Sequence, residues 1–146
     1  MSNFDFSLGK DGDTLILIGP DGLSQIDIQY VKDFEPKQDK TDIVVKGLDG
    51  RRHTFYAPEG WSGSFTVTRR NPALDDFFTS LESDWFEAGI ASLMTIYHYV
   101  TEKDGTQRGW MYTNCTLHLS SAGKWEQDSK PVEQKVDFSA ERKEPV

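Results

Sequence analysis

A chain of 146 residues with sixteen Lys and Arg against twenty-four Asp and Glu carries a formal charge of −8, which argues against a protein that grips nucleic acid by neutralising its phosphates. The length suits a single domain that buries roughly 68–70% of its unfolded surface, and no disulfide is needed or possible within it, because Cys115 is the only cysteine. No apolar run follows Met1-Ser2-Asn3-Phe4-Asp5 that could serve as a signal peptide or membrane span, so the expectation is a protein made in a cytosol and not associated with membrane.

Along the chain, short alternating segments punctuated by Pro-Asp-Gly, Leu-Asp-Gly and Lys-Asp-Gly predict a mainly β, antiparallel domain interrupted by one helix. The first strand is expected from Leu15 to Gly19, followed by a turn at Pro20-Asp21-Gly22. A second is expected from Gln25 to Lys32, with Ile26, Ile28 and Tyr30 opposite Gln25, Asp27 and Gln29. Residues 33–60 then form the most unusual stretch: charged, too polar to fill a core, and longer than an ordinary connection. Its β-branched run Ile43-Val44-Val45, followed by Leu48-Asp49-Gly50, predicts a projecting hairpin built to touch something else.

Ser62 to Arg70 alternates again, setting Phe65 and Val67 against Ser64, Thr66 and Thr68. A helix is predicted over 72–88, with Asn71 as N-cap, Pro72 in the first position, Asp75 and Asp76 where the macrodipole favours negative charge, and Gly89 as the stop. Its stripe of Leu74, Phe77, Phe78, Leu81 and Trp85 should lie on a sheet. Strands from Ser92 to Lys103 and from Thr106 to Ser120 flank Asp104-Gly105. With those two residues as the loop, Tyr97 faces Tyr112 and Tyr99 faces Trp110, while the opposite surface pairs Met94 with Cys115, Ile96 with Thr113 and His98 with Met111. Both surfaces would then be substantially apolar. The last strand sets Val132, Val136, Phe138 and Ala140 against Glu133, Lys135, Asp137, Ser139 and Glu141.

No catalytic constellation emerges. His53, His98 and His118 are scattered over a loop and two strands, so neither a metal nor a cofactor is expected. Asp11-Gly12-Asp13 begins like a calcium loop, but Ile16 stands where the loop needs glycine. Gly60-Trp61-Ser62-Gly63 lacks the spacing of a nucleophile elbow, and Asn114-Cys115-Thr116 fits the glycosylation pattern only by chance in mid-strand. Cys115 reads as a small buried hydrophobe, and Glu82, Asp84 and Glu87 as a solvated helix face. The chain is not read as an enzyme.

The order of parts is an N-terminal arm over 1–13, a β domain, a long charged segment between strands, one helix, a hairpin and a closing strand. With the run FEPKQDKTDIVVKGLDGRRHTFYAPEGWSGSFTVTRR leading into NPALDDFF, this order resembles a bacteriophage tail tube protein from about Leu15 to Arg142. The resemblance implies an antiparallel β-sandwich or split barrel with one flanking helix, related to the tube protein of type VI secretion. It implies hexameric rings stacked into a hollow virion tail tube, closed by strands from all six copies, through which DNA passes without specific binding. Tail sheath, baseplate and tail terminator proteins are the implied partners. A contractile tail is favoured because no surface domain is appended.

Carried over by position, Phe4 and Phe6 would anchor the arm, and Phe34, Lys37, Asp39, Lys40, Asp49, Arg51 and Arg52 would serve contacts between subunits and rings. Asp27, Gln29, Ser64, Thr66, Thr68, Asp137 and Glu141 would face a DNA-repelling lumen, shared with Lys135 and Arg70. The alternative is a monomeric β-barrel binding a small ligand among Tyr97, Tyr99, Trp110 and Tyr112. A hydrolase using Ser62 and a histidine has no geometric support.

Overall fold

Among the described residues, a computed structural model has eight strands and one helix: β1 (Thr14–Ile18), β2 (Gln25–Ile28), β3 (Val31–Lys46), β4 (Arg52–Thr68), α1 (Ala73–Ala88), β5 (Met94–Thr101), β6 (Gln107–Ser121), β7 (Glu133–Ala140) and β8 (Arg142–Pro145). The structure describes residues 14–19, 25–28, 31–70, 72–102, 104–127 and 129–146, with backbone alone over 14–18 and 25–28. The expected N-terminal arm, the Pro20-Asp21-Gly22 turn, Gln29, Tyr30 and the Asn71 cap therefore lie outside the described residues.

Every strand pairing is antiparallel, in the order β2-β1-β5-β6-β7-β4-β3, with β8 beside β6. The long strand β6 serves two halves. Its first part, to Cys115, pairs with β5, and its last part, from Thr116, pairs with β7. Asn114, with φ of 49°, marks the change of direction between them. The path begins at β2 and ends at β3 without closing, so the domain is a sandwich-like open sheet rather than a barrel, mainly β as the sequence predicts.

The halves meet through aromatic rings. Between Lys32 and Glu35, β3 carries one residue more than β4, and Asp33 takes φ of 52°. Regular alternation would turn Phe34 to the outer face. The bulge turns it inward instead. Its ring stacks on Phe138 at 5.6 Å and lies 6.2 Å from Phe65 on its own half, and 4.6 Å from His98 and 6.0 Å from Tyr112 on the other. Around it lie the buried Phe65, Ile96, Tyr112, Cys115 and Val136. Gly63 permits the close approach, because a Cβ there would stand 2.1 Å from the Glu35 carbonyl oxygen.

The helix begins at Ala73, one residue later than expected, with Pro72 in the cap position. It ends as predicted at Gly89, whose φ is 66° and whose amide donates to the Trp85 carbonyl at 2.9 Å. Leu74 is buried, and Phe77, Phe78 and Leu81 pack on the core. A polar relay fixes the helix start. Gln134, buried on the inner face of β7, donates to Asp75 Oδ1 at 2.7 Å and to the Ala122 carbonyl at 3.1 Å, while Arg69 Nε donates to Asp75 Oδ2 at 2.9 Å. The expected alternation of β7 holds, with Gln134 taking the inward place beside Val136, Phe138 and Ala140.

Three expectations of register and extent need correction. The β5–β6 loop holds three residues, not two: Glu102 N–H donates to the Thr106 carbonyl, and Gly105, with φ of 88°, donates to the Glu102 carbonyl. Each partner shifts by one, giving Ile96↔Tyr112, Tyr97↔Met111, His98↔Trp110 and Tyr99↔Gly109. A second irregularity then restores Met94↔Cys115 as expected. The expected Gln25–Lys32 strand is divided, its first part pairing with β1 and its continuation beginning β3 in the other half. Finally, the sequence reading gave no strand after Glu141, yet β8 pairs with β6 over Trp110–Thr113. A short, charged edge strand containing Pro145 carries little alternation to read.

Removing the ring at the junction should be costly: Phe34→Ala is expected to lower stability by about 3 kcal/mol in urea unfolding. Gln134→Leu, which leaves Asp75 Oδ1 and the Ala122 carbonyl without the Gln134 donor, should cost about 2 kcal/mol in the same assay.

Candidate functional site

Beyond Trp61, β4 leaves β7 and runs with β3 alone. From Lys40↔Pro58 to Lys46↔Arg52 the two strands make a free ribbon of seven pairs, about 20 Å long at the usual rise per residue. The expected projecting segment is thus continuous β-structure rather than irregular loop. A turn closes it: Gly50, with φ of 83°, donates to the Gly47 carbonyl at 3.0 Å, and Asp49 Oδ1 accepts from the Arg51 amide at 3.0 Å. Leu48 at the tip is fully exposed.

Alternation gives the ribbon two faces. Ile43, Val45 and Phe55 occupy one, and Val44, Tyr56, Lys40, Lys46 and Arg52 the other. All five of these apolar side chains are between 45% and 56% exposed, so neither face is covered by this chain. A two-stranded ribbon of this kind is marginal by itself in water.

The predicted contact residues fall in different places. Lys37, opposite Ser62, and Asp39, which accepts from Ser62 Oγ at 2.9 Å, sit at the ribbon's base. Lys40 pairs with Asp42 at 3.2 Å and stands 5.7 Å from the Tyr56 ring. Asp49, Arg51 and Arg52 are at or beside the tip. Phe34 is taken up by the core, and Phe4 and Phe6 lie outside the described residues.

Of the lumen candidates, Ser64, Thr66, Thr68 and Asp137 share one outer face, with Ser64↔Asp137, Thr66↔Lys135 and Thr68↔Glu133 side by side. Glu141 lies at the corner between β7 and β8, where it accepts from Asn114 Nδ2. Asp27 belongs to the other half, opposite Ile16, and Gln29 is outside the described residues. This face is close to charge-balanced rather than strongly acidic: Lys32, Lys37 and Lys135 stand against Glu35, Asp39, Glu133 and Asp137, and Lys32 is ion-paired with Glu133. The acid is concentrated elsewhere. The helix holds five carboxylates, Asp75, Asp76, Glu82, Asp84 and Glu87, and no Lys or Arg.

The slipped register separates the expected aromatic pocket. Tyr97 and Tyr99 stack 6.3 Å apart on one face, and Trp110 and Tyr112 lie on the other. There Lys143 of β8 places its ammonium 4.9 Å from both Trp61 and Trp110 and 5.6 Å from Tyr112, and burial pushes its pKa down. This cation joins the base of the ribbon to the far half of the sheet. Burial, with the neighbouring Cys115, pushes the Tyr112 hydroxyl up to about 12, and burial pushes the Cys115 thiol up to about 12, which keeps the thiol unreactive.

No protein-family model and no curated protein matches the sequence. Solved structures do match. A chain from the extended sheath–tube complex of PVC, an extracellular contractile injection system, superposes with a TM-score of 0.60 at 14% identity, covering 90% of this chain and 87% of that one. A chain from the PVC sheath/tube terminator gives 0.61 at 14% identity, over 90% and 92%. One from the tube-terminating cap of the anti-feeding prophage gives 0.58 at 11% identity, over 100% and 95%. The chain shares its fold with these components of contractile injection systems. Within that fold, the sequence predicts the ribbon and the acids of the helix but gives no signal for β8 or the Lys143 contacts.

Truncating the caged cation tests its part in holding the two halves together. Lys143→Ala should lower stability by about 1–2 kcal/mol and weaken the near-ultraviolet circular dichroism of the surrounding Trp and Tyr rings.

Proposed function

We propose that this chain is the tube subunit of a contractile, phage-like tail. Copies join into hexameric rings that stack into a hollow tube, and DNA passes through the tube during ejection. The observation that carries this reading is the free ribbon, a regular hairpin with apolar side chains exposed on both faces, on a domain whose sheet, among the described residues, ends in open strands at β2 and β3. Open edges are satisfied when strands of neighbouring copies continue the sheet, and a closed ring leaves none over. The fold shared with injection-system tube proteins supports the same reading, as does the six-fold baseplate of the anti-feeding prophage, in which another chain of this fold was solved.

In that assembly the ribbon reaches from one copy to the next. The face of Ser64, Thr66, Thr68 and Asp137 lines the bore, with its hydroxyls and matched charges offering DNA no cationic array to bind. The sheath, baseplate and terminator are the partners, and the mature location is the tail. No step of chemistry is involved.

The test is assembly. Purified protein should form rings or tubes in negative-stain images and in mass photometry as concentration rises. A variant with residues 41–57 replaced by an Asn-Gly turn should remain folded and monomeric. A wild-type chain that stays monomeric at every concentration, or a shortened chain that polymerises normally, would overturn the reading.

A further inference from the structure

Two exposed surfaces among the described residues, the ribbon and the outside of α1, are opposite in charge. Residues 40–58 hold four basic side chains, Lys40, Lys46, Arg51 and Arg52, against Asp42 and Asp49, in a chain whose total is −8. The helix is its counterpart, with five acids and no base. Among the described residues, Lys46 and Arg52 make no ion pair, and neither do Asp76, Glu82, Asp84 or Glu87.

Stability of the helix does not explain its acids. Asp75 and Asp76 suit the first turn, but Asp84 and Glu87 lie towards the end, where the macrodipole disfavours negative charge and no basic residue compensates. At helical spacing, Asp76, Phe86 and Glu87 lie away from the Leu74–Phe77–Leu81 stripe, and Glu82 stands on the flank one turn before Phe86. Phe86 is 76% exposed there, an apolar ring framed by carboxylates. The ribbon face carrying Val44, Tyr56, Lys46 and Arg52 is the complementary arrangement, apolar groups beside unpaired cations.

We propose that this ribbon face of one copy docks on the outer face of α1 of a second copy, with Tyr56 and Val44 against Phe86 and with Lys46 and Arg52 among Glu82 and Glu87. The proposal rests on the self-assembly reading and names the receiving surface for the ribbon. Because the two surfaces differ, the contact is head-to-tail, each copy offering one ribbon and one helix, and it propagates instead of stopping at a dimer. Complementary fields of this kind set partner and register.

Charge exchange tests it. The double variant Lys46→Glu/Arg52→Glu should raise the critical concentration for polymerisation at least tenfold, and so should Glu82→Lys/Glu87→Lys. Combining all four changes in one chain should return it to within threefold of wild type. All the positions are exposed, and unchanged thermal melting would confirm that each variant folds. Either double variant polymerising like wild type, or the combined variant remaining as defective as the doubles, would overturn the interface while leaving self-assembly standing. A wild-type chain that never polymerises would instead overturn the reading on which this one rests.

Discussion

Phe34 stands where the two halves of the sheet meet, and it does so because β3 carries one more residue than its partner between Lys32 and Glu35. Strand geometry allows each side chain only two directions, so a single inserted residue is enough to exchange inside for outside. The cost is Asp33 in the left-handed region, which Asp tolerates better than most residues. What is gained is a ring packed against Phe138 and Phe65 on one side and His98 and Tyr112 on the other. The ribbon starts only a few residues further on. The strand leading to its root is packed among the same rings, and Lys143, lodged against Trp61, contacts that root from the far half.

How much of this was legible depended on whether the signal was local. The helix could be read because its stripe, its first-turn acids and Gly89 all lie within one segment. The alternation of β7 and the projecting hairpin were readable for the same reason. The β5–β6 pairing was not, because Asp104-Gly105 suits both a two-residue and a three-residue loop, and the choice between them moves every facing side chain by one position. That one step separated Tyr97 and Tyr99 from Trp110 and Tyr112 and removed the shared pocket they suggested. The division of Gln25–Lys32 was equally hidden, since the alternation continues across a point where the chain changes halves. Gln134 reads as polar surface until Asp75 and the Ala122 carbonyl, distant in sequence, are placed beside it.

Net charge proved a poor guide to local field. The total of −8 suggested an acidic lining, yet the Ser64–Asp137 face is close to balanced, and five acids without a base are gathered on α1 while the ribbon is basic. With screening over roughly 8 Å at physiological salt, a surface responds to the charges on it and hardly at all to those behind it. The electrostatic character of this chain is therefore set surface by surface rather than by its total charge.

At the ribbon's root, β4 carries an extra residue opposite the Asp39–Lys40 step, and Gly60 there has φ of 123°, with no room for a Cβ beside the Ala140 carbonyl oxygen. An irregular joint at the base of a stiff arm acts as a lever. A tilt of about 10° at that joint displaces a tip about 20 Å away by about 3 Å, at little cost to the pairing within either strand. If copies are linked through such arms, as proposed above, the assembly could curve, each arm taking up the small difference in spacing between the inner and outer side of the bend.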